Sequence, residues 1–157
     1  MVYNITNMML SLAYAMATPS GCTVGTELFV HESPGTAAIA AVLRDWGGPT
    51  PNELNRVPAA SMQCMVTGMN ATAGLDLAYR LYESLHNPDD VDARPRSNWI
   101  ITGKKLDVNG TLVNDDVVLT WLIHSLALDA PPGAIGRDDA GRWETSFNFH
   151  VYFSKAS

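Results

Sequence analysis

Apolar residues recur at two periods along this chain. From Trp143 to Phe153 they fall on every second position. Trp143, Thr145, Phe147, Phe149, Val151 and Phe153 share one face, and Arg142, Glu144, Ser146, Asn148, His150 and Tyr152 share the other. That alternation predicts a long strand with one buried side. Near the start the spacing is three and four. Ile5, Met8, Met9, Leu12 and Met16 line one side of a helix over Ile5 to Ala17, which Thr18-Pro19-Ser20-Gly21 should end. A second helix is expected after Asn70, whose side chain can cap free N–H groups of the first turn. Leu75, Ala78, Tyr82 and Leu85 supply its apolar face, with Leu81 at the margin and His86-Asn87-Pro88 as its end.

Between these elements lie shorter strand signals. Leu28-Phe29-Val30 stops at the Ser33-Pro34-Gly35 turn, and Ala38 to Arg44 fits a buried strand. Ser61 to Thr67 alternates around Met62, Cys64 and Val66. Asp45 to Pro51, with two glycines and two prolines, must be loop, and Pro88 to Arg96 is an acidic excursion. Trp99-Ile100-Ile101 and Leu112-Val113 flank Asn109-Gly110, a hairpin signal. Val117 to Leu128 is rich in β-branched and aromatic residues and predicts a strand, which Pro131-Pro132-Gly133 breaks; Asp138 to Gly141 predicts a turn. The expected fold is α+β: a largely antiparallel sheet flanked by an N-terminal helix and one central helix.

Length and composition narrow this picture. At 157 residues the chain suits one domain over 1–157, large enough to bury roughly 70% of its unfolded surface. Charged residues make up only 17%, which suggests that much of the surface is uncharged and covered by something. Ten basic against sixteen acidic residues give a net charge of −6, the wrong sign for gripping nucleic acid. No apolar run reaches the ~18 residues of a membrane span. Met8 to Ala17 resembles the apolar part of a signal peptide, but no Lys or Arg precedes it, so an amphipathic helix is expected there.

Motifs of catalysis are sparse. Cys22 and Cys64 are too few for a disulfide framework or a thiolate metal site. His31, His86, His124 and His150 form no i, i+4 pair, so no metal ligand set is expected. His124 and Ser125, adjacent on a strand, should point to opposite faces. Asp89, Asp90 and Asp92 lack the central Gly and distant Glu of a calcium loop. Gly47-Gly48-Pro49 lacks the Lys-Ser/Thr of a phosphate cradle. Arg137 and Arg142 bracket the Asp138–Gly141 turn and can pair with Asp138 or Asp139. No catalytic residue and no cofactor is expected; the residues favour a protein whose work is contact.

Several segments, in order, resemble the tail terminator proteins of tailed bacteriophages, often labelled minor capsid proteins. Gly25-Thr26-Glu27-Leu28-Phe29-Val30 and Trp46-Gly47-Gly48-Pro49 resemble that family's opening strand and aromatic-Gly-Gly loop. Gln63-Cys64-Met65-Val66-Thr67-Gly68 is similar to its Gln-Val-x-Val-Arg-Gly strand, with Thr67 where the family often has Arg. Tyr82-Glu83-Ser84-Leu85-His86 matches the end of its helix. Gly136 to Trp143, then Asn148-Phe149-His150-Val151-Tyr152, resemble its Gly-Arg-Asp hairpin and Asn-Phe-x-Val strand, the most specific part. The likeness spans Gly25 to Phe153, with Pro88 to Val113 longer and different in composition.

The resemblance implies a virion protein assembled in the host cytoplasm: a homohexameric ring at the head-proximal end of a tail. Such a ring stops polymerisation of the tail tube protein and joins the tail to the head connector or stopper, while viral DNA passes through its lumen unbound. Each subunit then needs two unlike edges, which make a heterologous, closing interface. Six acidic copies would repel the duplex in their channel. Trp46, Gly47, Gly48, Arg137, Asp138, Asp139 and Arg142 are candidate assembly or turn residues, and Asp89, Asp90 and Asp92 a candidate lumen or partner-facing loop. The alternatives are another neck component (a tail completion or connector protein) and a small hydrolase built around His124 or His150.

Overall fold

The computed structural model describes residues 5–33, 35, 38–45, 59–105 and 118–156. The elements run α1 (Ile5–Ser20), β1 (Leu28–Val30), β2 (Ile39–Asp45), β3 (Ala59–Gly68), α2 (Ala71–Ser84), β4 (Ser97–Lys104), β5 (Val118–Leu128), β6 (Gly133–Arg137) and β7 (Trp143–Lys155). They build one sheet in the order β1-β2-β3-β7-β5-β4, with β6 paired to β7. Only the β1–β2 pair is parallel. The expected α+β class, with its N-terminal and central helices, is the observed one. The expected turn at Asn109-Gly110 lies outside the described residues.

β7 organises the sheet. Its apolar row Phe147, Phe149, Val151 and Phe153 is buried, and it meets Met62, Cys64 and Val66 of β3 beneath α1 and α2. Burying each such side chain contributes about 1.5–3 kcal/mol, and the row shares one core with the leucines and methionines of both helices. β5 and β6 run in the same direction along one side of β7. Leu128 pairs with Phe149 and Gly133 with Ser146, so five steps of chain oppose three. Pro131 and Pro132 occupy the gap, where their missing N–H groups forfeit no ladder bond. β6 was not apparent as a strand because it is short, glycine-bearing and exposed.

Three sequence expectations need correction. α1 does not stop before Pro19 but runs to Ser20, because proline in the last turn forfeits only one backbone bond. It closes in a Schellman motif: Cys22 N donates to Ala17 O and Gly21 N to Thr18 O, with Gly21 at φ +75°. In α2 the buried stripe is Gly74, Leu77, Ala78, Leu81 and Leu85, so Leu81 is central and Leu75 is exposed. The stripe is rotated toward β3, where Gly74 lies over Val66. Finally, β5 carries a bulge between Ile123 and Ser125. His124 bonds Ser154 and Ser125 pairs with Tyr152, so both accompany outward-facing residues of β7 rather than opposite faces.

Candidate assembly surface

The β6–β7 hairpin is held by one carboxylate. Asp138 Oδ1 accepts from the backbone N–H groups of Ala140 (2.9 Å) and Arg142 (2.8 Å), and Oδ2 accepts from Arg142 Nε at 2.9 Å. Gly141, at φ +77°, closes the turn by donating its N–H to Asp138 O. These donors, the Arg142 backbone N–H first, hold the Asp138 carboxyl below the usual carboxylate range. Of the two pairings open to Arg142, Asp138 takes it and Asp139 stays exposed. Arg137 does not join the pair. Its guanidinium lies 4.3 Å from the centre of the Trp143 ring, a cation–π contact, with no carboxylate in ion-pair reach among the described residues. Beside it Ile135 is 58% exposed.

The acidic segment is an ordered loop. Asn87 Oδ1 accepts from Asp89 N, Asp90 Oδ1 from Asp92 N, and Asn87 N donates to Arg94 O. Asp90 Oδ2 accepts from Arg94 Nε at 2.6 Å, the principal reason its carboxyl titrates below its ordinary value. The three aspartates therefore divide: Asp90 is spent on the loop, while Asp89 and Asp92 face solvent. At the apex Val91 is 99% exposed. At the base Arg96 donates Nε to Ser84 O and stacks 4.5 Å from the Trp99 ring. Arg96, Trp99 and Ile100 border a cavity of about 230 Å³. Partial burial draws the Arg96 guanidinium below its usual pKa, against the opposing charge of Asp89.

One row of groups has the composition of a hydrolytic triad. Ser61 Oγ and His150 Nδ1 hydrogen-bond at 3.0 Å, and His150 Nε2 lies 3.5 Å from Asp129 Oδ1. The second distance is beyond a hydrogen bond, so the carboxylate does not fix the imidazole as a serine base requires. The other histidines are occupied in structural bonds: His31 with Thr6, His86 with Tyr82 O and His124 with Ser154. Among the described residues no cluster of three His, Cys, Asp or Glu has metal-binding geometry.

The sheet's outer strands also differ. β1 is closed by its own chain, since Leu28 N donates to Thr23 O and Gly25 N donates to Leu28 O. β4 has no strand on its outer side among the described residues, and its Ile100 is 65% exposed.

Thus Arg137, Asp138, Asp139 and Arg142 come together in one hairpin, and Asp89, Asp90 and Asp92 in one loop. Trp46, Gly47 and Gly48 lie outside the described residues. Sequence reasoning missed Val91, Ile135 and the two Arg-on-Trp stacks. A valine inside an acidic run was the visible signal for the first; the stacks depend on which neighbour a guanidinium selects.

No protein-family model matches this chain, and no curated protein matches it. No helix among the described residues is long and apolar enough to cross a membrane.

Proposed function

We propose that the chain is a structural subunit of a tailed-phage neck, of the tail terminator kind. In this reading six copies form a ring at the head-proximal end of the tail. The ring ends tube polymerisation and docks to the head connector, with DNA passing through a lumen that does not hold it.

The observation that carries the reading is the hairpin from Gly136 to Trp143. It is the most specific stretch of the resemblance, and its charged residues serve shape rather than catalysis. Asp138 and Arg142 fix the turn, and Arg137 stacks on Trp143. A net charge of −6 per subunit suits a channel that repels the duplex. A connector or tail completion protein shares these general features, and the bound partner separates the readings.

Tube length tests the terminator activity. Purified chain added to polymerising tail tube protein of the same particle should cap one tube end and shorten the tubes seen by negative-stain microscopy. Unchanged tube lengths with no end-bound density would refute it.

A further inference from the structure

The cavity at the start of β4 holds a cation whose donors the fold does not use up. Asn87, Arg96, Ser97, Asn98, Trp99 and Ile100 line it, and it encloses about 230 Å³. Arg96 carries a charge and the other five do not. Its Nε is committed to Ser84 O at 2.9 Å, and its guanidinium stands over the Trp99 ring. Both contacts leave the two Nη atoms, which meet no acceptor among the described residues. Neutral polar groups share the lining. Asn87 gives its Oδ1 to Asp89 N, which leaves its amide nitrogen to donate. Ser97 and Asn98 have no side-chain hydrogen bond among the described residues. Trp99 and the exposed Ile100 add an apolar wall.

We propose that this cavity binds a carboxylate with a small apolar body, held on the Nη pair of Arg96. A guanidinium presents parallel N–H donors that match the two oxygens of a carboxylate. Neighbouring charges set how much negative charge the site accepts. Asp89 acts on Arg96 from beyond ion-pair distance, and burial of the guanidinium outweighs its pull. The helix end at this site is the C-terminus of α2, at Ser84 O, which is the wrong pole for phosphate. A monoanion therefore fits and a dianion does not. An adjoining cavity of about 160 Å³ shares Arg96 and Asn87 but also holds Glu83, so the anion belongs in the larger one. That volume is below the ~300 Å³ at which sites for drug-sized ligands begin, which limits the ligand to roughly one residue in size. Ser84 O and Trp99 already place the guanidinium, so little ordering is lost on binding. Two sources have this chemistry: a free carboxylate of amino-acid size and the C-terminus of a protein chain. β4 has no strand on its outer side among the described residues, so a chain end has an edge to pair with. The site does not depend on the neck reading.

NMR titration of the isotope-labelled full chain tests it. N-acetyl-leucine should move the Trp99 indole and the Asn98 and Ile100 amide signals saturably. N-acetyl-leucinamide, which lacks the charge, should not, and inorganic phosphate should bind more weakly than N-acetyl-leucine. Arg96→Gln should weaken N-acetyl-leucine binding by at least about tenfold, the loss expected for a hydrogen bond to a charged group. Arg96 also bonds the end of α2, so Ile100→Glu is the second variant. It keeps Arg96, adds a carboxylate at the exposed cavity wall and should weaken binding to a similar degree. An acetylated tetrapeptide ending in leucine distinguishes the sources. Tighter binding than N-acetyl-leucine, with shifts spreading to Thr102, identifies a chain end; equal binding identifies a free carboxylate, and both support the site. No saturable shift at Trp99, an equal response to the amide, tighter binding of phosphate, or binding indifferent to Ile100→Glu would overturn it.

Discussion

Gly103 decides how closely the first helix can lie on β4. A side chain there would begin on top of the Ser11 hydroxyl, 2.9 Å from Ser11 Cα and 3.0 Å from its Cβ. The small pair Ser11–Gly103 therefore sets the spacing of helix and strand. Gly103→Ala should destabilise the fold by about 1–3 kcal/mol, the usual range for overpacking, as measured by urea denaturation. Adding Ser11→Ala should not rescue it, because the Cα and Cβ contacts remain. Asp138 makes a different prediction, in pH. Its folded pKa lies below the unfolded value of about 3.9, so its contribution is complete above that value. The contribution is lost as pH falls through the folded value. NMR signals of the Ala140 and Arg142 amides should hold steady from neutrality to about pH 5 and move only in stronger acid. Asp138→Asn should abolish that transition; movement near neutrality would contradict the assignment.

At the scale of elements, strongly periodic segments were legible and interrupted ones were not. β7 could be read because the residues from Arg142 to Phe153 alternate without a break and its inner face packs into the core. The α2 start could also be read: Asn70 Oδ1 accepts from Thr72 N at 2.9 Å and Ala73 N at 3.2 Å. Asn70→Ala should therefore cost about 1 kcal/mol, seen as a lower denaturation midpoint with an unchanged slope. The face of α2 was misplaced by one step, since leucines at 75, 77, 81 and 85 permit two stripes and packing on β3 selects one. β6 and the β5 bulge were hidden for a shared reason: each breaks the alternation that reveals a strand, and only pairing with β7 defines them. In the hairpin, sequence proximity suggested an Arg–Asp pair but could not choose between Asp138 and Asp139. The choice follows from Asp138 standing where its carboxylate also receives two backbone N–H groups.

The described residues form a sheet with helices on one side, one outer strand closed by its own chain and another with no neighbouring strand among them. Its hairpin is pinned by Asp138 and its acidic loop by the Asp90–Arg94 pair, and a Ser61–His150–Asp129 row lies across its strands. These properties suit a subunit that works through contacts with copies of itself and with the parts above and below it. The most direct test is cryo-electron microscopy of the intact particle that carries this chain. The account predicts six copies in a ring between tail tube and head connector. Density for the chain elsewhere in the particle, or no ring at the neck, would contradict it.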